Sequence, residues 1–316
     1  LKLRVVFHLP LPLSMAKIMP KEGKVGSIFV DSPSGRKVEY RLMGRCGADD
    51  PVLLVLHGMV PVGFGPCVTS LRLTRAAIKG ESKENTMQVI DQLPFRIVGL
   101  ARPGYDASTL NKPYKDMTYD DQCVDIFAVM DHVGASKFAI AANSSGGMVA
   151  LSVAHKQPER VTAIQLDCCD ASYEPGFPKG RKMNEPMENG APITYVDGAV
   201  RPGGMTWCCC CRNPCCCCCA CCYKGFFMDS YIELGPVPYK LEEIECPVQI
   251  IVGSKDDQVD PNTSKFHASK LPHATLEVIE GMGHCQIPGE LWEQKMNDLH
   301  ALAMQQAAPL QQNITE

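Results

Sequence analysis

A chain of 316 residues, at about 150 residues per domain, has room for two domains or for one α/β domain with a large insertion. Hydrophobic residues at 45% and charged residues at 21% exclude wholesale disorder and fibrous repeats. The 31 Lys and Arg against 35 Asp and Glu, a net charge of −4, lack the basic footprint that nucleic-acid binding draws on.

Residues 1–20 are expected to be a leader outside the folded core. Lys2, Arg4 and His8, then Pro10 and Pro12, interrupt the apolar run that a secretory signal needs. The preferred reading is a truncated or mis-started leader with Met15 or Met19 as the start. A signal peptide ending near Ser14-Met15-Ala16 is the alternative. Segments 25–30 and 37–42 flank Ser32-Pro33-Ser34-Gly35, turn chemistry that predicts a hairpin. Runs at 52–56, 96–100, 138–142, 161–166 and 248–252 are apolar at most positions, as parallel strands buried on both faces are. Between them, Thr118 with Asp121 starts a helix in the manner of a capping box. Apolar residues then recur at Cys123, Ile126, Phe127, Met130 and Val133 before Gly134 stops it. A second helix is expected after Ser145, through Met148, Val149, Leu151 and Ala154, closed by Pro158. No stretch reaches 18 consecutive apolar residues, so no transmembrane helix is expected and the chain reads as soluble.

The strand at 138–142 runs straight into that second helix through Asn143-Ser144-Ser145-Gly146-Gly147. Such a turn exposes a nucleophile when the residues two before and two after it are small, the usual pattern being G-x-S-x-G. Here the pattern is Ala142-x-Ser144-x-Gly146. The turn also sets the Ser145 N–H at the start of a helix, where an unpaired donor and the positive end of the dipole favour a developing oxyanion. A serine hydroxyl needs a base, and the base an orienting carboxylate. His284 follows the apolar run 276–279 and Asp256 follows 250–252, so both fall just past strand ends, where open α/β sheets place their sites. Asp167, Asp257 and Asp260 compete with Asp256 for the role of acid. No pair of His, Cys or acidic residues in the core has metal-ligand spacing along the sequence. No metal and no cofactor are therefore expected, and EDTA is expected to be without effect.

The order Ser144, Asp256, His284 resembles the α/β-hydrolase superfamily in its esterase-like branch. The resemblance covers residues 34–169 and 246–288. Leu56-His57-Gly58-Met59 resembles the family's HG turn after the third strand, which implies the Met59 backbone N–H as the second oxyanion donor and His57 as a structural, hydrogen-bonded residue. Arg102-Pro103-Gly104-Tyr105 resembles its DRPGYG loop, with Ala101 where Asp is usual. Gln157-Pro158-Glu159-Arg160-Val161 resembles its HPERV entry into the next strand. The implied fold is α/β, a mostly parallel central sheet flanked by helices, with a cap or lid insertion after the sixth strand. The chain then divides into a leader at 1–20, core at 21–169, a cap or lid at 170–243, core at 244–305 and a tail at 306–316. A serine at the elbow excludes the dehalogenase and epoxide-hydrolase chemistries, which use aspartate there. It implies acyl transfer, with a carboxylic ester or related small-molecule acyl compound as substrate, Met59 and Ser145 at the substrate carbonyl, and no cofactor. Lactones, amides and carbon–carbon bonds beside a ketone are reached by the same triad, and Asn143 has a counterpart in the family's carbon–carbon hydrolases. A non-catalytic binding protein on this fold is the reading from another class. His155, His267 and His273 read as ordinary surface groups.

Of the 18 cysteines, eleven crowd into residues 208–222, and the other seven are scattered without the spacing of a disulfide framework. That pattern suggests a reducing, cytoplasmic compartment. The tract itself reads as a low-complexity loop in the lid. It also resembles the cysteine strings of palmitoylated proteins, so membrane attachment would follow only if it is acylated, and metal binding is a third possibility. Without an apolar period, and with Pro214 inside it, the stretch 203–223 is expected to be poorly ordered. Deleting 208–222 is expected to spare the thermal midpoint and the labelling of Ser144. Chain-length preference would change, because the lid and residues 59–64 would set substrate size.

Overall fold

The computed structural model describes residues 27–44, 47, 50–59, 90–169, 193–196, 199–202, 224–233, 237–256, 259–285 and 287–307. The expected leader, the cysteine tract, residues 60–64 and Asp257 lie outside them.

The hairpin forms as expected: β1 (Ile28–Asp31) pairs antiparallel with β2 (Lys37–Gly44) around a turn closed by Gly35 at φ 81. The apolar runs become β3 (Val52–Leu56), β4 (Arg96–Leu100), β5 (Phe138–Asn143), β6 (Val161–Asp167), β9 (Val248–Gly253) and β10 (Ala274–Ile279). With β7 (Ile193–Val196) and β8 (Ala199–Pro202) forming a separate antiparallel pair, the main sheet has, among the described residues, eight strands in the order β1-β2-β4-β3-β5-β6-β9-β10. β2 meets both β1 and β4 antiparallel, and every other neighbour is parallel.

Every residue of β3, β5, β6 and β9 is buried, because helices cover both faces. Alternate side chains feed two separate cores. Leu54, Leu56 and Ile140 pack on one face with α1 (Tyr119–His132) and α2 (Gly146–Lys156). Leu53, Val55 and Ala141 pack on the other against Trp292, Met296 and Leu299 of α5 (Gly289–Ala307). α1 starts with the reciprocal capping box between Thr118 and Asp121. It ends at Gly134, φ 69, with Gly134 N–H bonded to Asp131 O and Ala135 N–H to Met130 O, the pairing of a left-handed glycine stop. The Arg36 guanidinium, buried, donates to both oxygens of buried Asp125 at 2.7 and 3.0 Å and ties the hairpin to α1.

Three helices fall in segments for which the sequence analysis names none, α3 (Lys224–Ile232) in the insertion, α4 (Pro261–Lys270) after β9 and α5 after β10. α4 buries Thr263, Ser264 and His267 in place of an apolar stripe, so a hydrophobic period had nothing to register. His267 corrects the surface reading given to it: it is 1% exposed, and burial holds its imidazole down at about 4. Among the described residues no helix is long and apolar enough to cross a membrane.

Candidate active site

The parallel strands β5, β6, β9 and β10 all end on the same edge of the sheet, and the loops that leave them carry the candidate residues. Ser144 follows β5 directly. It has φ 49, a left-handed backbone that side chains other than glycine seldom adopt, and it is half-buried. Its N–H donates to Asp167 O at 3.1 Å and its carbonyl accepts from Gly147 N–H at 3.0 Å. The turn is tight because neighbouring chain presses on it from both sides. A Cβ on Gly146 would come 2.7 Å from Leu56 O, and one on Gly58 would come 2.6 Å from Ser144 Cβ. Glycine is therefore required where the HG turn crosses the elbow.

Asn143 fastens the same crossing, its Oδ1 accepting the Gly58 N–H at 2.7 Å. This interaction gives Asn143 a positioning task at the turn that carries Met59, which is half-buried. His57 behaves as a structural residue. Fully buried, it donates from Nδ1 to Gly58 O at 2.7 Å and accepts Arg102 N–H on Nε2 at 3.1 Å. Burial first, then Arg102, pushes its imidazole well below the ordinary range, so the ring is neutral.

His284 Nδ1 lies 2.9 Å and 3.0 Å from the two oxygens of Asp256. The Asp256 side chain is fully buried and that of His284 is 11% exposed, so the pair is shielded with one edge of the ring open. Asp256 Oδ1 also accepts the Val259 N–H at 2.9 Å, which fixes the carboxylate plane. The acid loop and the histidine loop are in backbone contact: Lys255 N–H donates to Met282 O at 2.9 Å, and a Cβ on Gly253 would stand 2.1 Å from that oxygen.

The two competing acids among the described residues are occupied elsewhere. Asp260 caps α4, accepting the Asn262 N–H at 2.9 Å. Asp167 accepts from Gln165 Nε2 at 2.9 and 3.1 Å, and burial raises its carboxyl to about 7.

Ser145, at the N-cap of α2, is buried, and its hydroxyl does not cap the helix. It takes part in a network that the sequence does not announce. Arg102 Nη2 donates to Ser145 Oγ at 2.9 Å, and both Arg102 terminal nitrogens donate to Asp229 of α3 at 2.6 Å. The Tyr105 hydroxyl donates to the same carboxylate at 2.5 Å. Burial raises the Asp229 carboxyl, against the opposing pull of Arg102. Arg102 and Tyr105 lie within the motif that the sequence singles out, but Asp229 lies 127 residues from Arg102 in a segment without a readable period.

Comparison with known proteins agrees with this architecture. A family model for the alpha/beta hydrolase fold matches residues 51–193. The chain is 25% identical over 261 residues to the magnesium-chelatase 30 kDa subunit of Rhodobacter capsulatus, covering 78% of this chain and 85% of that protein. An esterase from Rhodococcus sp. ECU1013 superimposes with a TM-score of 0.57 at 16% identity, covering 88% of this chain and 98% of its own. A meta-cleavage product hydrolase from Pseudomonas fluorescens gives 0.55 at 17%, covering 90% and 99%. The sheet order, the left-handed serine at the end of β5 and these superpositions together show that the chain has the alpha/beta hydrolase fold.

Proposed function

We propose that the protein is a serine hydrolase acting on a carboxylic ester or related acyl compound through an acyl-enzyme intermediate. The observation that carries this reading is the shielded His284–Asp256 pair, 2.9 Å apart, on the sheet edge where the strained Ser144 turn emerges. Asp256 holds the proton on Nδ1 of His284, which leaves the Nε2 lone pair to take the Ser144 proton. Ser144 Oγ then bonds to the substrate carbonyl carbon, and the oxyanion is met by the backbone N–H groups of Met59 and Ser145. Collapse breaks the carbon–oxygen bond to the alcohol, which leaves with the proton held by His284. A water deprotonated by His284 attacks the acyl-enzyme, and Ser144 departs with that proton. Each proton is returned, so the cycle needs no cofactor. Since Asn143 is engaged with Gly58, its presence before the serine does not favour carbon–carbon cleavage over ester hydrolysis.

A fluorophosphonate probe and a panel of p-nitrophenyl esters, lactones and amides test the reading. Wild-type protein should be labelled and should turn over short esters, and Ser144→Ala should lose both while keeping its thermal midpoint. Unchanged turnover in Ser144→Ala would overturn the assignment, and a wild-type chain that never labels would favour a binding role on this fold.

A further inference from the structure

The fold brings together three metal-binding donors that the sequence holds apart. Cys168 leaves the end of β6, and Cys285 follows His284 in the loop after β10, 117 residues further on. The two sulfurs and a ring nitrogen of His284 all lie within 4.8 Å of one another. The Cys285 N–H donates to Cys168 Sγ at 3.3 Å, and the Cys285 thiol faces Asp167 O at 3.9 Å, the carbonyl that also receives the Ser144 N–H. Both cysteines have φ 50. Such backbone is uncommon outside glycine and gathers at functional sites, and here it occurs at both sulfurs. The pair belongs to the same apolar cluster as Ile251, Met282 and Trp292.

We propose that Cys168, Cys285 and His284 bind a thiophilic divalent cation of the zinc type, and that its binding withdraws His284 from Ser144. The inhibitory consequence rests on the serine-hydrolase reading above, whereas the site itself does not. Two sulfurs and an imidazole are a soft donor set, suited to zinc and unsuited to magnesium or calcium, which take oxygen. Metal–sulfur bonds of about 2.3 Å and metal–nitrogen bonds of about 2.0 Å put tetrahedral donors about 3.5–3.8 Å apart. From 4.8 Å or less, side-chain torsions of about 1 Å reach complete the set. Both thiol protons leave to solvent as the thiolates bind. The fourth position falls to water. Binding through Nε2 consumes the lone pair that would take the Ser144 proton. Binding through Nδ1 displaces the hydrogen bond to Asp256 and leaves the remaining ring proton on Nε2. Either mode leaves His284 unable to act as a base. Spacing along the chain gives no sign of this site, because the trio is assembled by two loops from different strands.

Cobalt(II) reports such a site independently of turnover, through a thiolate-to-cobalt charge-transfer band and the visible bands of tetrahedral coordination. The full-length chain, kept reduced and with its eleven tract cysteines replaced by serine, is titrated with Co2+ beside the Cys168→Ala and Cys285→Ala variants on the same background. One saturating site per chain, displaced by Zn2+, is expected. Each variant should bind more weakly by a larger factor than the roughly 10–100-fold that loss of an outer-shell partner costs. Ester turnover is then compared with Zn2+ and with EDTA, each variant serving as its own reference. Zn2+ should inhibit the parent and spare both variants relative to it. Absence of the charge-transfer band in a folded parent, or an unchanged band in both variants, would overturn the site. A normal band in a chain that neither labels with fluorophosphonate nor hydrolyses esters would leave the site standing and remove the hydrolase reading instead. Turnover that Zn2+ inhibits equally in all three would overturn the proposed withdrawal of His284.

Discussion

Ser144 keeps φ 49 because its surroundings over-determine it: its N–H and C=O are both bonded, and Gly58 and Gly146 leave no room for the turn to relax. The residues that make the turn possible are chemically inert, which is why G-x-S-x-G patterns can be read without a structure. The Ala142 departure is tolerated, since Ala142 fits, buried, at the end of β5. His284 presents a different dependence, on the state of its partner. Asp256→Asn keeps the shape of the pair but favours the tautomer with its proton on Nε2. Loss of kcat/KM on the order of 10⁴ is expected with labelling greatly slowed. In the proposed mechanism only the neutral His284 ring accepts from Ser144, so wild-type kcat/KM should rise from acid pH as that ring loses its proton. A profile flat from about pH 5 to 8 would rule His284 out as the base.

At the scale of elements, α3 is held by charge as well as by apolar contact. It offers Met228 and Ile232 to the core, while Asp229 is clamped by Arg102 and Tyr105. The backbones touch as well: Gly225 N–H donates to Gly104 O at 3.1 Å, Gly104 has φ 78, and a Cβ on Gly225 would meet the Tyr105 ring at 2.3 Å. The Arg102-Pro103-Gly104-Tyr105 motif is thus the seat on which α3 docks. Since Arg102 also holds the Ser145 hydroxyl, the seat is coupled to the start of α2. Removing one member of a buried ion pair strands the other, so Asp229→Ala should destabilise by about 3–5 kcal/mol. Limited proteolysis should then cut the insertion faster, and kcat/KM should fall with α3 released. An unaltered cleavage rate with full stability would show that the pair does not hold the helix.

Over the whole molecule, two buried titratable groups act on stability in opposite directions. His267 titrates near 4 when folded and 6.5 otherwise, so between those values the unfolded chain binds more protons and stability rises with pH. Its contribution, roughly 3 kcal/mol, is complete above the unfolded value and lost as pH falls toward 4. Asp167 titrates near 7 when folded against 3.8, so its contribution is complete below the unfolded value and lost as pH rises through 7. The two nearly cancel over the interval they share. Asp167→Asn keeps an oxygen for Gln165 and removes one of the opposing pair. Its thermal midpoint relative to wild type should therefore climb between about pH 5 and 8, and an offset constant with pH would refute the sign.

The hairpin, α1 with its capping box, the buried parallel strands and the order of Ser144, Asp256 and His284 were legible in the sequence, because each is dictated by local backbone chemistry or by short-range periodicity. α4 was not legible, since its buried face is Thr263, Ser264 and His267, and no hydrophobic scale marks such a face. Asp229 was not legible either, because its worth comes from Arg102 on a different loop. The sequence left Asp256 and Asp167 as rival acids. Three-dimensional arrangement decides which carboxylate the imidazole meets: Asp256 lies against His284, while Gln165 on the same strand occupies Asp167. Local chemistry alone determines which segments form strands and which turn can bare a serine. Only the tertiary structure determines which groups from distant loops come side by side, as Cys168, His284 and Cys285 do, since that proximity depends on strand order and not on spacing along the chain.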